Sequence, residues 1–438
     1  MDTLQNRLIL ASLLLACAGA LRADGQAPGW AWDGHFQVTA VPQYHPAFRA
    51  PYSGANSLDP SPEFDTSLTS TLFLGARILP GLELYCDPEL VGGSGFSGTS
   101  GLADFPNGEI FRVSQAYPQV NVARLYLQWV LGLGGGVEDV AGAANQLPGP
   151  RPRSRLTLAA GDFSLTDFFD DNAYSHDPRS QFLNWSLMDN GAWDYAADTH
   201  GYTAGFYAEL TLPGWALRAA EAEEPTTANG AVLDNDVIHA RSENLEAEGR
   251  WSLGAHPGAL RALGFWNHAD MGSYTVSLAS AASAPDITQS RARGNEKYGF
   301  GWSFEQEILQ DLACFSRAGW NNGRTETWAF TEIDQSASAG LALSGGAWKR
   351  DQDHAGLAYV ISGLSDAHLE YLAAGGHGFI VGDGALRYAP EQVLEAYYSW
   401  CPVQGLTLSP DYQYFQNPAY NQARGPVHVL SVRAHFEL

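Results

Sequence analysis

Apolar and polar residues alternate one by one over long stretches of this chain. Leu68, Leu72, Leu74, Ala76 and Ile78 fall on one side of segment 67–78, and Ser67, Thr69, Thr71, Gly75 and Arg77 fall on the other. The last residues repeat the pattern, with Leu430, Val432, Ala434, Phe436 and Leu438 set against Ser431, Arg433, His435 and Glu437. A period of two predicts β-strands with one apolar face. Beyond the N-terminus no apolar run reaches membrane length. Strands that keep a polar face opposite an apolar one suit a closed barrel in lipid around a wet interior, where every backbone group pairs between strands.

Sixteen such segments can be read, at 33–44, 63–78, 82–91, 121–132, 153–163, 201–211, 215–222, 241–253, 259–270, 296–308, 312–320, 325–345, 354–363, 391–400, 405–416 and 426–438. The connections between them alternate in length. Those at 79–81, 212–214, 254–258, 309–311 and 401–404 are short, and those at 45–62, 92–118, 164–200, 223–240, 271–295 and 364–390 are long. Short turns on one rim and long loops on the other predict an all-β, 16-stranded antiparallel up-and-down transmembrane barrel. The even count puts both chain ends on the short-turn, periplasmic rim. Two connections break the rule: 133–152 is long where a short turn is due, and 321–324 is short where a long loop is due. Within the loop 364–390, residues 365–374 read as a short helix capped by Ser365 or Asp366. In the first hairpin a three-residue loop at 79–81 sets Arg77 opposite Glu83 on the polar face and Ile78 opposite Leu82 on the lipid face.

The N-terminus reads as an export signal. Arg7 is followed by the apolar segment 8–20 and the small residues Ala18-Gly19-Ala20, and a cut after Ala23 makes residues 1–23 the signal and 24–438 the barrel. That apolar segment is too short to span a membrane comfortably. Charged residues make up 16% of the chain and aromatic residues 12%, which suits the aromatic girdles of a barrel. An extracellular β-sandwich array, whose strands also alternate, is the competing fold. The net charge of −24 argues against nucleic acid as a partner. Cys86, Cys314 and Cys401 remain after signal removal; an odd, small number makes no disulfide framework.

Candidate chemistry concentrates in residues 161–202, which crowd Asp167, Asp170, Asp171, Asn172, His176, Asp177, Arg179, Trp185, Asp189, Asn190, Trp193, Asp194 and Tyr195 into one connection. A loop of that length in a compact fold is usually functional. Its Phe168-Phe169 and 185–188 clusters need burial, and folding into the barrel mouth supplies it, so the loop at 164–200 is read as a constriction. Flat rings there would stack on the apolar face of a sugar, and acids, amides and arginines would meet its hydroxyl groups. A packed loop that satisfies only its own backbone is the plainer alternative. On the wall, alternation turns Arg77, Glu83, Tyr85, Glu89, Arg124, Tyr126, Gln128, Arg155, Tyr207, Glu209, Arg218, Glu305, Glu307, Arg317 and Arg433 inward. The substrate path is therefore assigned to Arg77, Glu83, Tyr85, Arg124, Asp170, Asp171, Arg179, Trp185, Trp193, Arg218 and Arg317. The chain carries no H-E-x-x-H, P-loop or G-x-S-x-G motif. Asp170-Asp171 could form a carboxylate pair, although adjacent loop acids are commonly solvated, and Asp234-Asn235-Asp236 and Asp351-x-Asp353-His354 lack a full metal-loop pattern, so no catalytic residue, cofactor or metal is assigned.

The segments at 45–58, 68–90, 101–109, 161–202, 354–384 and 411–427, in this order, resemble the carbohydrate-selective porin family of the OprB type. The resemblance implies a sixteen-stranded barrel in the outer membrane of a Gram-negative bacterium, with passive diffusion of small sugars tuned by charged and aromatic residues at a constriction. It implies outer-membrane lipid and lipopolysaccharide around the barrel and assembly machinery that inserts it, and the architecture accommodates a homotrimer. Carried onto this chain, the wall residues would be Arg77, Glu83 and Arg124, and the loop residues Asp170, Asp171, Arg179, Trp185 and Trp193. One departure is the terminal Leu438, where such strands more often end in Phe. A general diffusion pore for small polar solutes, a barrel enzyme or adhesin working through its loops, and a secreted β-rich binding protein are the competing functions.

Overall fold

The computed structural model describes residues 31–110 and 115–438; the export signal falls outside them. The strands in chain order are β1 (Ala31–His45), β2 (Glu63–Leu79), β3 (Leu82–Gly93), β4 (Gln115–Gly132), β5 (Val137–Val140), β6 (Gly149–Pro152), β7 (Arg155–Phe163), β8 (Thr203–Leu212) and β9 (Trp215–Glu223). The second half holds β10 (Arg241–Leu253), β11 (His256–Ala269), β12 (Asn295–Leu309), β13 (Leu312–Asn321), β14 (Gln335–Ser344), β15 (His354–Gly363), β16 (Glu391–Val403), β17 (Leu406–Gln416) and β18 (Val427–Glu437). Sixteen of them close into one antiparallel barrel in which β4 pairs directly with β7, while β5 and β6 form a separate hairpin. The seam is β1 against β18, with Val38 opposite Phe436.

The alternation sorts the two faces as the pattern requires. Leu72, Leu74 and Leu430 point outward and are 40%, 39% and 51% exposed, while their neighbours Thr71 and Ser431 are buried inside. Outward aromatic residues gather at both rims. Trp32, Trp215 and Trp400 lie toward the short turns, and Phe64, Trp266 and Tyr298 lie toward the long loops. Amphipathic rings are favoured where hydrocarbon meets water.

Three details differ from the sequence reading, and the short helix agrees with it. Residues 325–334, read as the start of a strand, form a buried loop, and β14 starts only at Gln335. The supposed short connection at 321–324 is therefore 322–334, and the long rim regains its regularity. The cause is local: the amides of Trp328, Ala329 and Phe330 all donate to the Asp194 carboxylate instead of to a neighbouring strand. In the first hairpin Arg77 does sit opposite Glu83, but Leu79 pairs with Leu82 and Ile78 bulges out. Leu82 is buried against Trp129 and Leu131 rather than meeting Ile78. The turn after β10 is two residues, with Leu253 opposite His256. The helix expected near 365–374 is Asp366–Ala373, capped by the Ser365 hydroxyl, which accepts from the His368 amide at 3.2 Å.

The long connections do not stand clear of the barrel. Phe96, Phe105, Phe169, Phe182, Trp193, Tyr371 and Tyr420, all contributed by loops, are almost completely buried in one apolar cluster with wall residues such as Tyr207 and Phe315. The loops fill much of the lumen.

Candidate functional site

The constriction loop runs from Ser164 to Tyr202 between β7 and β8, and it is held in the lumen by wall residues from most of the barrel. It opens with a turn in which the Ser164 amide donates to the Asp167 carboxylate at 3.0 Å. Asp167 then receives the Arg124 guanidinium through two hydrogen bonds of 2.5 and 2.7 Å. Arg124 also lies 3.5 Å from Asp87 and over the ring of Tyr202, 5.4 Å from its centre. One wall arginine thus grips both ends of the loop. Tyr202 donates to Glu89 at 2.8 Å, and Arg179 reaches Glu89 at 3.2 Å and Glu109 at 3.0 Å.

The middle of the loop is fastened to the opposite wall. Asp170 pairs with Arg317 at 2.9 Å, both side chains almost wholly buried, and it also accepts the Asn190 amide at 2.8 Å. Arg317 donates further to the Leu187 carbonyl at 2.7 Å. Charge-assisted bonds of this length are among the stronger ones in proteins. Asn190 sits in a slot made by Gly301 and Gly319, which face each other on β12 and β13. A Cβ at either position would come within 2.3 Å of the Asn190 side chain, so the close approach requires glycine. Arg433 donates to the carbonyls of Pro178, Ser180 and Gln181 at 2.6–2.9 Å.

Flat rings complete the packing. Phe168 stacks on Tyr207 with centres 4.1 Å apart, and Trp185 stacks on Phe330 at 5.6 Å. The indole nitrogens are satisfied within the protein, Trp185 by the Asn107 carbonyl at 2.8 Å and Trp193 by Asn244 at 2.9 Å. His176 and Asp189, both in the loop, stand 3.6 Å apart. Burial pushes the Asp189 carboxyl up to about 7, against the pull of His176. Burial alone would lower His176, but the Asp189 and Asp171 charges outweigh it and raise it.

A charge ladder runs across the wall beneath the loop. Arg218 pairs with Glu209, Glu246 and Glu248 at 2.7–2.9 Å, and Arg261 links Glu248 at 3.0 Å to Glu305 at 3.1 Å. Glu246 and Glu305 also take the amides of Asp170 and Ala173 at 2.8 and 2.7 Å. Sequence reasoning did not single out Glu246, Glu248 or Arg261, although Glu246 and Glu248 alternate with Leu245 and Ala247 in the signature used elsewhere.

The predicted residues therefore divide. Arg77 and Glu83 pair at 2.9 Å, Tyr85 donates to Glu83 at 2.7 Å, and all three line the inner wall near the short-turn rim. Arg124, Asp170, Arg179, Arg218 and Arg317 are loop-to-wall or wall-to-wall fasteners, and Trp185 and Trp193 are packed rings with 6% and 1% of their surface exposed. Asp171 alone of the predicted loop residues is open to solvent. The proposed acid pair at Asp170-Asp171 is thus split between a buried anchor and an exposed carboxylate. Asp353 is engaged by Arg350 and Tyr398, and among the described residues no cluster of three or more His, Cys, Asp or Glu could hold a metal ion.

Between the loop and the short-turn rim lies a cavity of about 490 Å³ against β12–β15, bordered by Tyr174, Gln181, Glu307, Asp351, His354 and Tyr397 among others. Among the described residues that line it there is no lysine or arginine. Its size falls within the range of small-molecule sites, roughly 300–1,000 Å³.

Comparison with known proteins places this geometry. The family model described as "Carbohydrate-selective porin, OprB family" matches residues 55–438. Porin AaxA of Chlamydia abortus is 22% identical over 311 residues, covering 70% of this chain and 60% of that protein. Porin AaxA of Chlamydia caviae is 23% identical over 312 residues with the same coverage. The chain thus spans 60% of the length of these relatives. Among solved structures, the high-pH form of Pseudomonas putida OprB superposes with a TM-score of 0.67 at 12% identity, covering 93% of this chain and 94% of that one.

Proposed function

The chain belongs to the OprB family of carbohydrate-selective porins, and from that premise we propose that it lets small, uncharged sugars diffuse passively across the outer membrane. The observation that carries this reading is the inward-folded loop with the cavity below it. The loop closes off most of the lumen with packed rings and paired charges, so a solute is confined to what is left. The cavity below the loop offers two tyrosines, carboxylate and amide acceptors and, among the described residues that line it, no lysine or arginine. Hydroxyl donors on a sugar ring find acceptors there, and anionic solutes find like charge. Asp171, Tyr174, Glu307 and Asp351 are the residues proposed to meet the solute, while Arg124, Arg317 and Arg433 on the wall hold the loop in place.

The test is liposome swelling with purified protein. Glucose and maltose should enter faster than glycine or glucuronate when compared at equal osmotic gradient. Equal rates for sugars and amino acids would make it a general pore for small polar solutes instead. The proposed setting includes lipopolysaccharide around the apolar band, insertion by the barrel-assembly machinery through β18, and a homotrimer, the last to be read by native mass spectrometry.

A further inference from the structure

The segment between β4 and β7 is the longest on the short-turn rim among the described residues, and it does not hang free below the barrel. It forms the β5–β6 hairpin, whose connecting residues 141–148 turn back inside. Leu147 is 1% exposed and its amide lies 3.4 Å from the Tyr85 hydroxyl. Asn145, in a left-handed backbone conformation at φ 55°, donates to Asp87 at 2.9 Å. Arg151 stands 3.6 Å from Glu83. Tyr85, Asp87 and Glu83 all point inward from β3, so the segment lies on the inner wall. The wall makes room for it: a Cβ at Gly75 would sit 3.0 Å from the Leu147 side chain. Farther along, Gly142 approaches Asp33 and His35 on β1 so closely that a Cβ would lie 2.2 Å from the Asp33 carboxylate.

The tip of this finger meets the Asp87–Arg124 pair, and Arg124 also holds the start of the constriction loop through Asp167. On the β1–β4 side the lumen is therefore filled from the rim up to the loop. The 490 Å³ cavity lies across the barrel on the β12–β15 side.

We propose that residues 134–153 form a fixed inner plug that closes the β1–β4 half of the exit, diverts solutes along the opposite wall and sets the size limit at the short-turn mouth. The proposal rests on the channel reading above for its solutes, not for its geometry. Two variants test it. Because the Leu133 amide bonds the Ser154 carbonyl at 2.8 Å, an Asn-Gly turn can replace residues 134–153 and join the strands directly. Leu147→Asp keeps the chain length and expels the finger by burying a charge without a partner. Single-channel conductance in potassium chloride and the largest maltooligosaccharide that passes in liposome swelling are the readouts. In both variants conductance should rise about twofold, since pore radius governs passage, and the size limit should grow. Unchanged conductance and size limit in either variant, with a folded barrel on heat-modifiability gels, would overturn the plug. A conductance rise in a protein that admits no sugar would keep the plug and discard the sugar reading.

Discussion

Replacing Arg317 with leucine should release the constriction loop while leaving the barrel intact. Arg317 and Asp170 meet at 2.9 Å with 2% and 4% of their side chains exposed, so water does not compensate for the loss of either. Removing one partner of a buried pair costs about 3–5 kcal/mol, because the other charge is left without a counter-ion. Asp170 keeps the Asn190 amide at 2.8 Å, which argues for the lower end of that range. At about 1.4 kcal/mol per factor of ten, a loss near 3 kcal/mol shifts the docked-to-released ratio of the loop roughly a hundredfold. The barrel ladders do not involve these side chains, so β-sheet circular dichroism and heat-modifiability should stay as in the wild type. Single-channel records should show added flicker and time in a larger conductance state, and protease added from the loop side should cut within 164–202 faster. The double variant Asp170→Asn with Arg317→Leu should recover part of the loss, because it leaves no lone buried charge. If Arg317→Leu folds and yet neither flicker nor cleavage changes, the pair is not what holds the loop.

The loop should also respond to pH. The Asp189 carboxyl is raised from 3.8 to about 7 by burial, with Asp170 and Asp167 adding to the rise and His176 and Arg317 opposing it. Its stabilisation of the packed loop is therefore complete below 3.8 and is lost as pH climbs through about 7. His176, raised by Asp189 and Asp171 despite burial, changes in the same direction as it loses its proton. Cleavage within the loop should be slower at pH 5 than at pH 8, and Asp189→Asn should flatten the difference; a difference of opposite sign would refute this. Gly319→Val should push Asn190 from its slot at a cost of about 1–3 kcal/mol, seen as raised flicker with normal barrel insertion. Leu72→Arg on the outer face should lower folding stability into vesicles by about 2–4 kcal/mol if Leu72 lies near mid-membrane, and a neutral result in denaturant titration would contradict the facing assigned to it.

The barrel was legible because a sheet in lipid has one rule for each face, and that rule is written at every second residue. Arg77 opposite Glu83 could be placed from the sequence since only a short turn separates them. The error at 325–334 shows the limit. Thr325, Thr327, Trp328, Phe330, Thr331 and Ile333 are residue types that strands favour, and nothing in them tells that their amides go to Asp194, which precedes them by more than a hundred positions. The inward fold of residues 164–202 was readable from apolar clusters that needed burial. Which of its polar groups would face solute was not, because that depends on which wall residue each one meets. Asp170 and Asp171 are neighbours of one residue type, yet Arg317 stands opposite the first and solvent opposite the second.

Part of the acidity of the chain serves this loop packing. A loop inside a barrel carries backbone amides that have neither a strand partner nor free water, and such groups are costly to leave unpaired. Wall and loop carboxylates satisfy them in groups. Glu391 accepts from Ala103, Asp104 and Ala419; Glu395 from Leu183 and Asn184; Glu332 from Ile380 and Val381; Asp194 from residues 328, 329 and 330. A carboxylate suits this task because it is acceptor-only and can serve several donors at once. An amide side chain would offer one acceptor oxygen and add two donors that need partners of their own. A net charge of −24 is thus no direct measure of what the passage prefers. The carboxylates bound to loop amides are already engaged, and under the proposed function a solute would respond instead to exposed ones such as Asp171 and Asp351.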